Sequence, residues 1–247
     1  MTYEIKSSWI KADWPVPENI HAGTSTRVGG ISRTPYDELN LALHVGDTPE
    51  NVITNRQYLT KYLNLPSKPV WLEQTHSSNI ISIDASCEHV IADGSYTTVQ
   101  NKVCAIMTAD CVPILFCDAN GTKIAAIHAG WKGIYGGIIE KTINGFSNPE
   151  SLFVWIGPCI SAQYYEVGKD VYQKFIHYST SLKIAFKQTS ECHWYCDLVN
   201  IVKIILENSR VASIYECGLC TYANDSLFYS YRRDGNTGRT ATLIWME

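Results

Sequence analysis

Six short runs in this chain are candidate strands, several of them apolar at nearly every position: KPVWL, KVCAIM, VPILFC, KIAAIH, SLFVWI and TATLIWM. A strand with one wet face alternates apolar and polar residues, whereas a strand covered on both faces has no reason to. The runs are rich in β-branched and aromatic residues and are bounded by turn formers, so they predict interior strands. Between them the period changes to that of helices. After Gly133, residues Ile134, Ile138, Ile139, Ile143 and Phe146 fall on one face, and Asn144-Gly145 weakens the end. A second predicted helix carries Val167, Val171 and Phe175; a third starts at a cap, Asp197, and buries Leu198, Val202, Ile205 and Leu206. No repeat, low-complexity tract or long Pro/Gly/Ser linker divides the 247 residues, which read as one domain, 1–247. Strands and helices mixed in this way fit a layered α/β or α+β architecture, and neither a sandwich nor a bundle.

Charge removes several function classes. With a net charge of -4 the chain has no basic field to hold a phosphodiester backbone, so nucleic acid is not an expected partner. The start, MTYEIKSSWIKADW, lacks a basic segment followed by an apolar one, and no run reaches the roughly 18 apolar residues of a membrane span. A cytoplasmic protein is expected. The 9 cysteines are odd in number and spread from Cys87 to Cys220, which favours a reducing compartment over a disulfide scaffold. Cys87, Cys104, Cys117, Cys192 and Cys196 read as small buried hydrophobes.

Three polar residues interrupt or end the apolar runs: His76 in WLEQTHSSNI, Cys111 in TADCVPILF and His128 in IAAIHAGW. Strand ends beside glycine are where a rigid scaffold presents side chains to a cleft. Two imidazoles and a thiolate suit Zn2+ and leave a fourth position open, as catalytic zinc requires. The same residues permit a nucleophilic Cys111 with His128 as base and Asp110 orienting it. They also permit two hydrogen-bonded core histidines. A thiol in an apolar strand has a raised pKa, so Cys111 needs a metal or a cation to become thiolate.

Two further clusters carry polar groups. In STRVGGISRTPYDELNLALHVGD, Arg27 stands beside Gly29-Gly30, whose permissive backbone could offer N–H groups to an anion. Asn40, His44 and Asp47 follow, and alternation places Leu39, Leu41 and Leu43 on one face of a strand with Asn40 and Ala42 on the other. In FYSYRRDGNTGR, Arg232 and Arg233 precede the turn signal Asp234-Gly235, and Arg239 precedes the last strand. Guanidinium groups beside aromatic rings suit phosphate or a stacked base; the same segment also reads as a surface hairpin with solvated arginines.

The runs TRVGGIS, LNLALHVGD, Asn55-Arg56, QTHSSNI, Ala92 to Gly94, TADCVPILFCD, HAGWKG, IGPCI, YEVG, CTY and FYSYRRDGNTGR, in that order, resemble the YfiH-type (DUF152) or multicopper polyphenol oxidase family. The resemblance covers Thr26 to Arg239. Ser77 stands where glycine is commoner, and Cys159 replaces a small residue in a turn. The resemblance implies an α+β fold like that of the cytotoxic necrotizing factor catalytic domain, with mixed β-sheets packed between helices. It also implies one zinc held by His76, Cys111 and His128. The activities it implies are phosphorolysis of adenosine, inosine and S-methyl-5'-thioadenosine, and deamination of adenosine.

For phosphorolysis, Arg27 is the first candidate to hold phosphate, with Asn40, His44, Arg232 and Arg233 as further contacts to phosphate or nucleoside. For deamination, Asp110 is the carboxylate nearest the metal set in sequence and the candidate proton carrier. Two rival activities are a Cys111/His128 hydrolase editing peptidoglycan precursors and a copper-dependent polyphenol oxidase. The copper reading meets a difficulty: a trinuclear cluster needs many imidazoles, and only 7 histidines are present, with no HxH pairing. A homo-oligomer is compatible with the sequence.

Overall fold

Five of the six apolar runs form strands, and each is covered on both faces. A computed structural model of the chain describes residues 8–85 and 90–247; Cys87 and His89 lie outside the described residues. In chain order the first strands are β1 (Trp9–Lys11), β2 (Ile20–Ser25), β3 (Ile80–Ser82), β4 (Gly94–Thr97), β5 (Val103–Thr108), β6 (Val112–Asp118) and β7 (Ile124–Ala129). There follow β8 (Leu152–Ile156), β9 (Glu166–Gly168), β10 (Phe186–Ser190), β11 (His193–Cys196), β12 (Ser213–Glu216) and β13 (Thr240–Met246). The helices are α1 (Pro49–Tyr62), α2 (Trp131–Tyr135), α3 (Ile138–Asn144), α4 (Lys169–Tyr178), α5 (Leu198–Asn208) and α6 (Tyr231–Asp234).

The strands make a six-stranded mixed sheet in the order β12-β8-β6-β7-β4-β3, a four-stranded sheet β1-β2-β13-β5 and a three-stranded sheet β10-β11-β9. Only β12 with β8 and β3 with β4 pair in parallel; the remaining pairs are antiparallel. Leu115 and Cys117 of β6 meet Cys104, Ile106 and Ile244 of the four-stranded sheet, while Ile114 and Phe116 pack under α2, α3, α4 and α5. On the outer face of the four-stranded sheet, Val103, Ala105 and Leu243 pack against Leu59 of α1 and against Leu39 and Leu41. The order of layers is therefore helix, sheet, sheet, helices. Every residue of β6 except its last is buried, and each such Leu or Ile stabilises the fold by about 1.5–3 kcal/mol.

Several expectations need correction. KPVWL contributes only an isolated bridge from Val70 to Cys104, because Pro69 has no N–H for a ladder. Leu39, Leu41 and Leu43 do not form a strand: the Asn40 side chain captures the N–H of Ala42, and Leu43 enters a short 3-10 turn with its side chain exposed. The helix expected after Gly133 is two, α2 and α3, parted by Gly136 and by Gly137 at φ 80. Val167 belongs to β9 and not to the helix that carries Val171 and Phe175. Arg232 and Arg233 lie in α6, capped by Ser230, and not in a hairpin turn. α1 was not legible as an amphipathic pattern, since only Val52, Asn55 and Leu59 of its 14 residues are buried.

Candidate metal centre and cleft

β6 begins where β7 ends, and the register pairs Val112 with Ala129. Cys111 and Gly130 therefore face each other just beyond the paired strand ends, and His128 sits one residue inside. His76 arrives from the loop before β3, at φ 60. Its Nε2 is 3.9 Å from Cys111 Sγ, and its ring stands edge-on to that of His128 with centroids 4.7 Å apart. One ligand atom from each of His76, Cys111 and His128 lies within 4.8 Å of the others, the one such His/Cys/Asp/Glu group among the described residues.

Asp93 organises this set from beneath. It is fully buried, and its carboxylate accepts from the Nδ1 of His128 at 2.8 Å. It also accepts from the backbone N–H groups of Thr75, His76 and Ser77 and from the Ser77 hydroxyl. Burial opposes its charge, but hydrogen bonds from His128 and Ser77 more than offset this and hold the carboxyl down at about 2. An anionic Asp93 requires the proton on Nδ1, which turns the Nε2 of His128 toward Cys111. Burial likewise pushes the Cys111 thiol up, yet His128 and His76 prevail and bring it down to about 6. His128 moves the opposite way: burial lowers it, and Cys111 and Asp93 raise it to about 9. Both shifts run in the direction that favours a thiolate beside an imidazolium.

That electrostatics suits a nucleophile pair as well as a ligand set. Two observations favour ligands. His76 adds a third donor that a Cys/His pair does not need. Gly130 keeps the space between the donors open: a Cβ there would stand 3.0 Å from His76 Cδ2, 3.1 Å from Cys111 Sγ and 3.6 Å from His128 Nε2. The donor set fits a tetrahedral cation with one open position.

The centre opens into a cleft of about 430 Å³, within the usual size of small-molecule sites. Trp131, Tyr165 and Tyr231 give it aromatic walls, and Arg232, Arg239 and His44 give it polar ones. Arg239 lies near enough to Cys111 and Asp110 to feel their charge, and its Nη1 is fixed by the carbonyls of Thr237 and Gly238. Arg232 lies over the Tyr165 ring and donates to the carbonyls of Glu166 and Tyr164. His44 is held below its ordinary value by burial and then by Arg239 and Arg56, so it is neutral at neutral pH.

Other residues singled out in sequence have different work. Arg27 is not in the cleft lining; it donates to the carbonyls of Asp37 and Asp225 and stacks on Tyr229, tying three segments together. Arg233 is held by the carbonyls of Thr221, Tyr222 and Phe228 and by Asp234. Asn40 is fully buried behind Arg239, whose backbone N–H it accepts, and it donates to Asp47. Asp110, at φ 92, accepts from the hydroxyls of Thr221 and Ser230 and the N–H of Arg232, so both its oxygens are engaged. It clamps the turn that presents Cys111. Sequence reasoning missed Asp93 and Gly130, although both lie in quoted runs, and it noted Arg239 without a role. Only contact geometry distinguishes them.

A layered α+β fold with one His/Cys/His group at the joined ends of β6 and β7 defines a class of proteins built around a single candidate metal centre. Residues 21–247 match the family model described as multi-copper polyphenol oxidoreductase laccase, and the chain belongs to this family. It is 42% identical to purine nucleoside phosphorylase YfiH of Escherichia coli (strain K12), over 97% of this chain and 99% of that protein. It is 34% identical to purine nucleoside phosphorylase YlmD of Bacillus subtilis (strain 168), over 93% and 90% of the two chains. Among solved structures, Neisseria meningitidis protein NMB0706, of family DUF152, superposes with a TM-score of 0.94 at 39% identity, covering 98% of this chain and 100% of the other. No helix among the described residues is long and apolar enough to cross a membrane.

Proposed function

We propose that this single-domain chain is a cytoplasmic, zinc-dependent purine nucleoside phosphorylase that acts on adenosine, inosine and S-methyl-5'-thioadenosine and also deaminates adenosine. The observation that supports it best is one cleft in which a His/Cys/His set faces two arginines and three aromatic side chains. Relatives matched over nearly the whole chain carry the phosphorylase name.

His76, Cys111 and His128 would hold the zinc, which when bound supplies Lewis acidity and lowers the pKa of water. In phosphorolysis a phosphate oxygen bonds to the anomeric carbon as the bond to the purine nitrogen breaks, giving ribose-1-phosphate and free base. Of the arginine candidates for phosphate read from sequence, Arg27, Arg232 and Arg233, only Arg232 lines the cleft, and Arg239 joins it there; both guanidinium groups are already braced to hold it. Trp131, Tyr165 and Tyr231 offer faces on which a purine stacks and exclude water from the bond being broken. For deamination, neutral His44 is the cleft group able to take a proton, whereas Asp110 has no free oxygen and positions Cys111 instead.

The test is to incubate zinc-loaded protein with adenosine, with and without phosphate, and identify products by mass spectrometry. Ribose-1-phosphate and adenine appearing only with phosphate is the expected result, with inosine as the phosphate-independent product; Cys111→Ala should abolish both. Arg239→Ala should raise the KM for phosphate about 10-fold or more, the worth of one charge-assisted hydrogen bond. Absence of nucleoside turnover by metal-replete protein would falsify the proposal. A thiolate with two imidazoles also suits copper, and the family model's description names it. Phenol oxidation that tracks stoichiometric copper would favour that reading.

A further inference from the structure

We infer that Asp93 is the positioning residue that couples two of the three metal donors, a role that rests on reading His76, Cys111 and His128 as ligands. The carboxylate makes two kinds of attachment. One is to His128 Nδ1, which fixes both the tautomer and the ring plane of that ligand. The other is to three successive backbone N–H groups, Thr75, His76 and Ser77, together with the Ser77 hydroxyl. Those contacts stabilise the loop in which His76 adopts φ 60, a conformation that a non-glycine residue holds only when its surroundings impose it. The Asp93 carbonyl also accepts the backbone N–H of His128 at 2.7 Å. Asp93 thus ties the His76 loop to the end of β7, and the two imidazoles cannot move independently of each other.

The chemistry makes the carboxylate specific. Five donors converge on two oxygens, and no donor is required of Asp93 itself. Asparagine at this position is nearly the same size, but its amide nitrogen would have to face either the Nδ1 proton of His128 or the N–H and hydroxyl of Ser77. A donor would then oppose a donor, and one of the two attachments would open.

Zinc affinity read by competition with a chromophoric chelator, without any nucleoside, tests this separately from the enzymatic reading. Asp93→Asn is expected to weaken zinc binding about 10- to 100-fold, the usual effect of removing such a partner. Ser77→Ala, which deletes one hydroxyl donor and leaves the carboxylate, should weaken it less but in the same direction. Circular dichroism of the metal-free variants shows whether each is folded. If Asp93→Asn does not fold, Ser77→Ala and the wild-type protein still decide the matter. In wild-type protein loaded with 113Cd and labelled with 15N-histidine, the metal–nitrogen coupling of His128 should fall on Nε2, and Nδ1 should carry a proton. Coupling to Nδ1, or unchanged zinc affinity in folded variants, overturns the assignment. Wild-type protein that takes up no zinc overturns both the metal centre and the role of Asp93.

Discussion

At the scale of single residues the centre depends on one position that must have no side chain. Gly130 has φ -70, an ordinary value for any residue, so alanine there strains no backbone. Its cost is confined to the new methyl group, which would lie within about 3 Å of Cys111 Sγ and His76 Cδ2. Gly130→Ala should therefore fold normally, with an unchanged far-UV spectrum, yet bind zinc about 5- to 100-fold more weakly, as expected from 1–3 kcal/mol of overpacking. Chelator competition measures it. Equal affinity would mean that the metal does not occupy the space between the three donors. Of the candidate ligands, Cys111 and His128 were conspicuous as polar residues at the edges of apolar runs, and His76 was singled out with them although it lies in a loop. Asp93 was not, because a carboxylate in a loop looks the same in sequence whether it caps an imidazole or faces water.

At the scale of elements, one helix start was read correctly from its cap. Asp197 was identified as a cap from its place before an apolar periodic run, and its carboxylate does accept the N–H of Asn200 at 2.9 Å. Asp197→Ala should lower stability by about 1 kcal/mol in urea or guanidinium unfolding, with the slope unchanged and zinc affinity unaffected. α5 lies on the far side of the six-stranded sheet from the four-stranded one, which is why its cap should not influence the centre. The segment holding Leu39 and Leu41 shows the opposite case. Alternation suggested a strand, but the backbone groups there bond to Arg27, Arg239 and the Asn40 side chain. Leu39 and Leu41 are fully buried while Leu43, which alternation placed on the same face, is exposed, so the pattern failed where the strand did.

At the scale of the whole molecule the centre joins segments far apart in the chain: the His76 loop, the start of β6, the end of β7, and the Arg232 and Arg239 region. A ligand that binds only this assembled state must stabilise it. Zinc at about 100 times its dissociation constant should add about 2.7 kcal/mol, or roughly 5–10 °C in Tm for a domain this long. Scanning calorimetry with and without zinc measures the shift. Cys111→Ser should reduce it sharply, whereas Cys192→Ser should leave it intact, because Cys192, expected from sequence to be buried, is instead exposed and away from the cleft.

The sequence by itself determined five of the interior strands, because a run apolar at nearly every position is satisfied by cover on both faces; KPVWL was the exception. It also determined the family, because the matching runs keep their order, whereas the residues alone left His76, Cys111 and His128 open between ligands, a nucleophile pair and core histidines; the tertiary structure brought all three together. Which guanidinium groups line the cleft was decided by the tertiary structure alone. Arg27, Arg232, Arg233 and Arg239 are chemically identical, and each stands within two residues of a glycine or an aromatic residue in sequence. All four donate to backbone carbonyls, but packing leaves Arg27 and Arg233 outside the cleft lining and brings Arg232 and Arg239 into it. That choice rests on which carbonyls come within reach once the layers close, and those contacts span up to 198 residues of sequence.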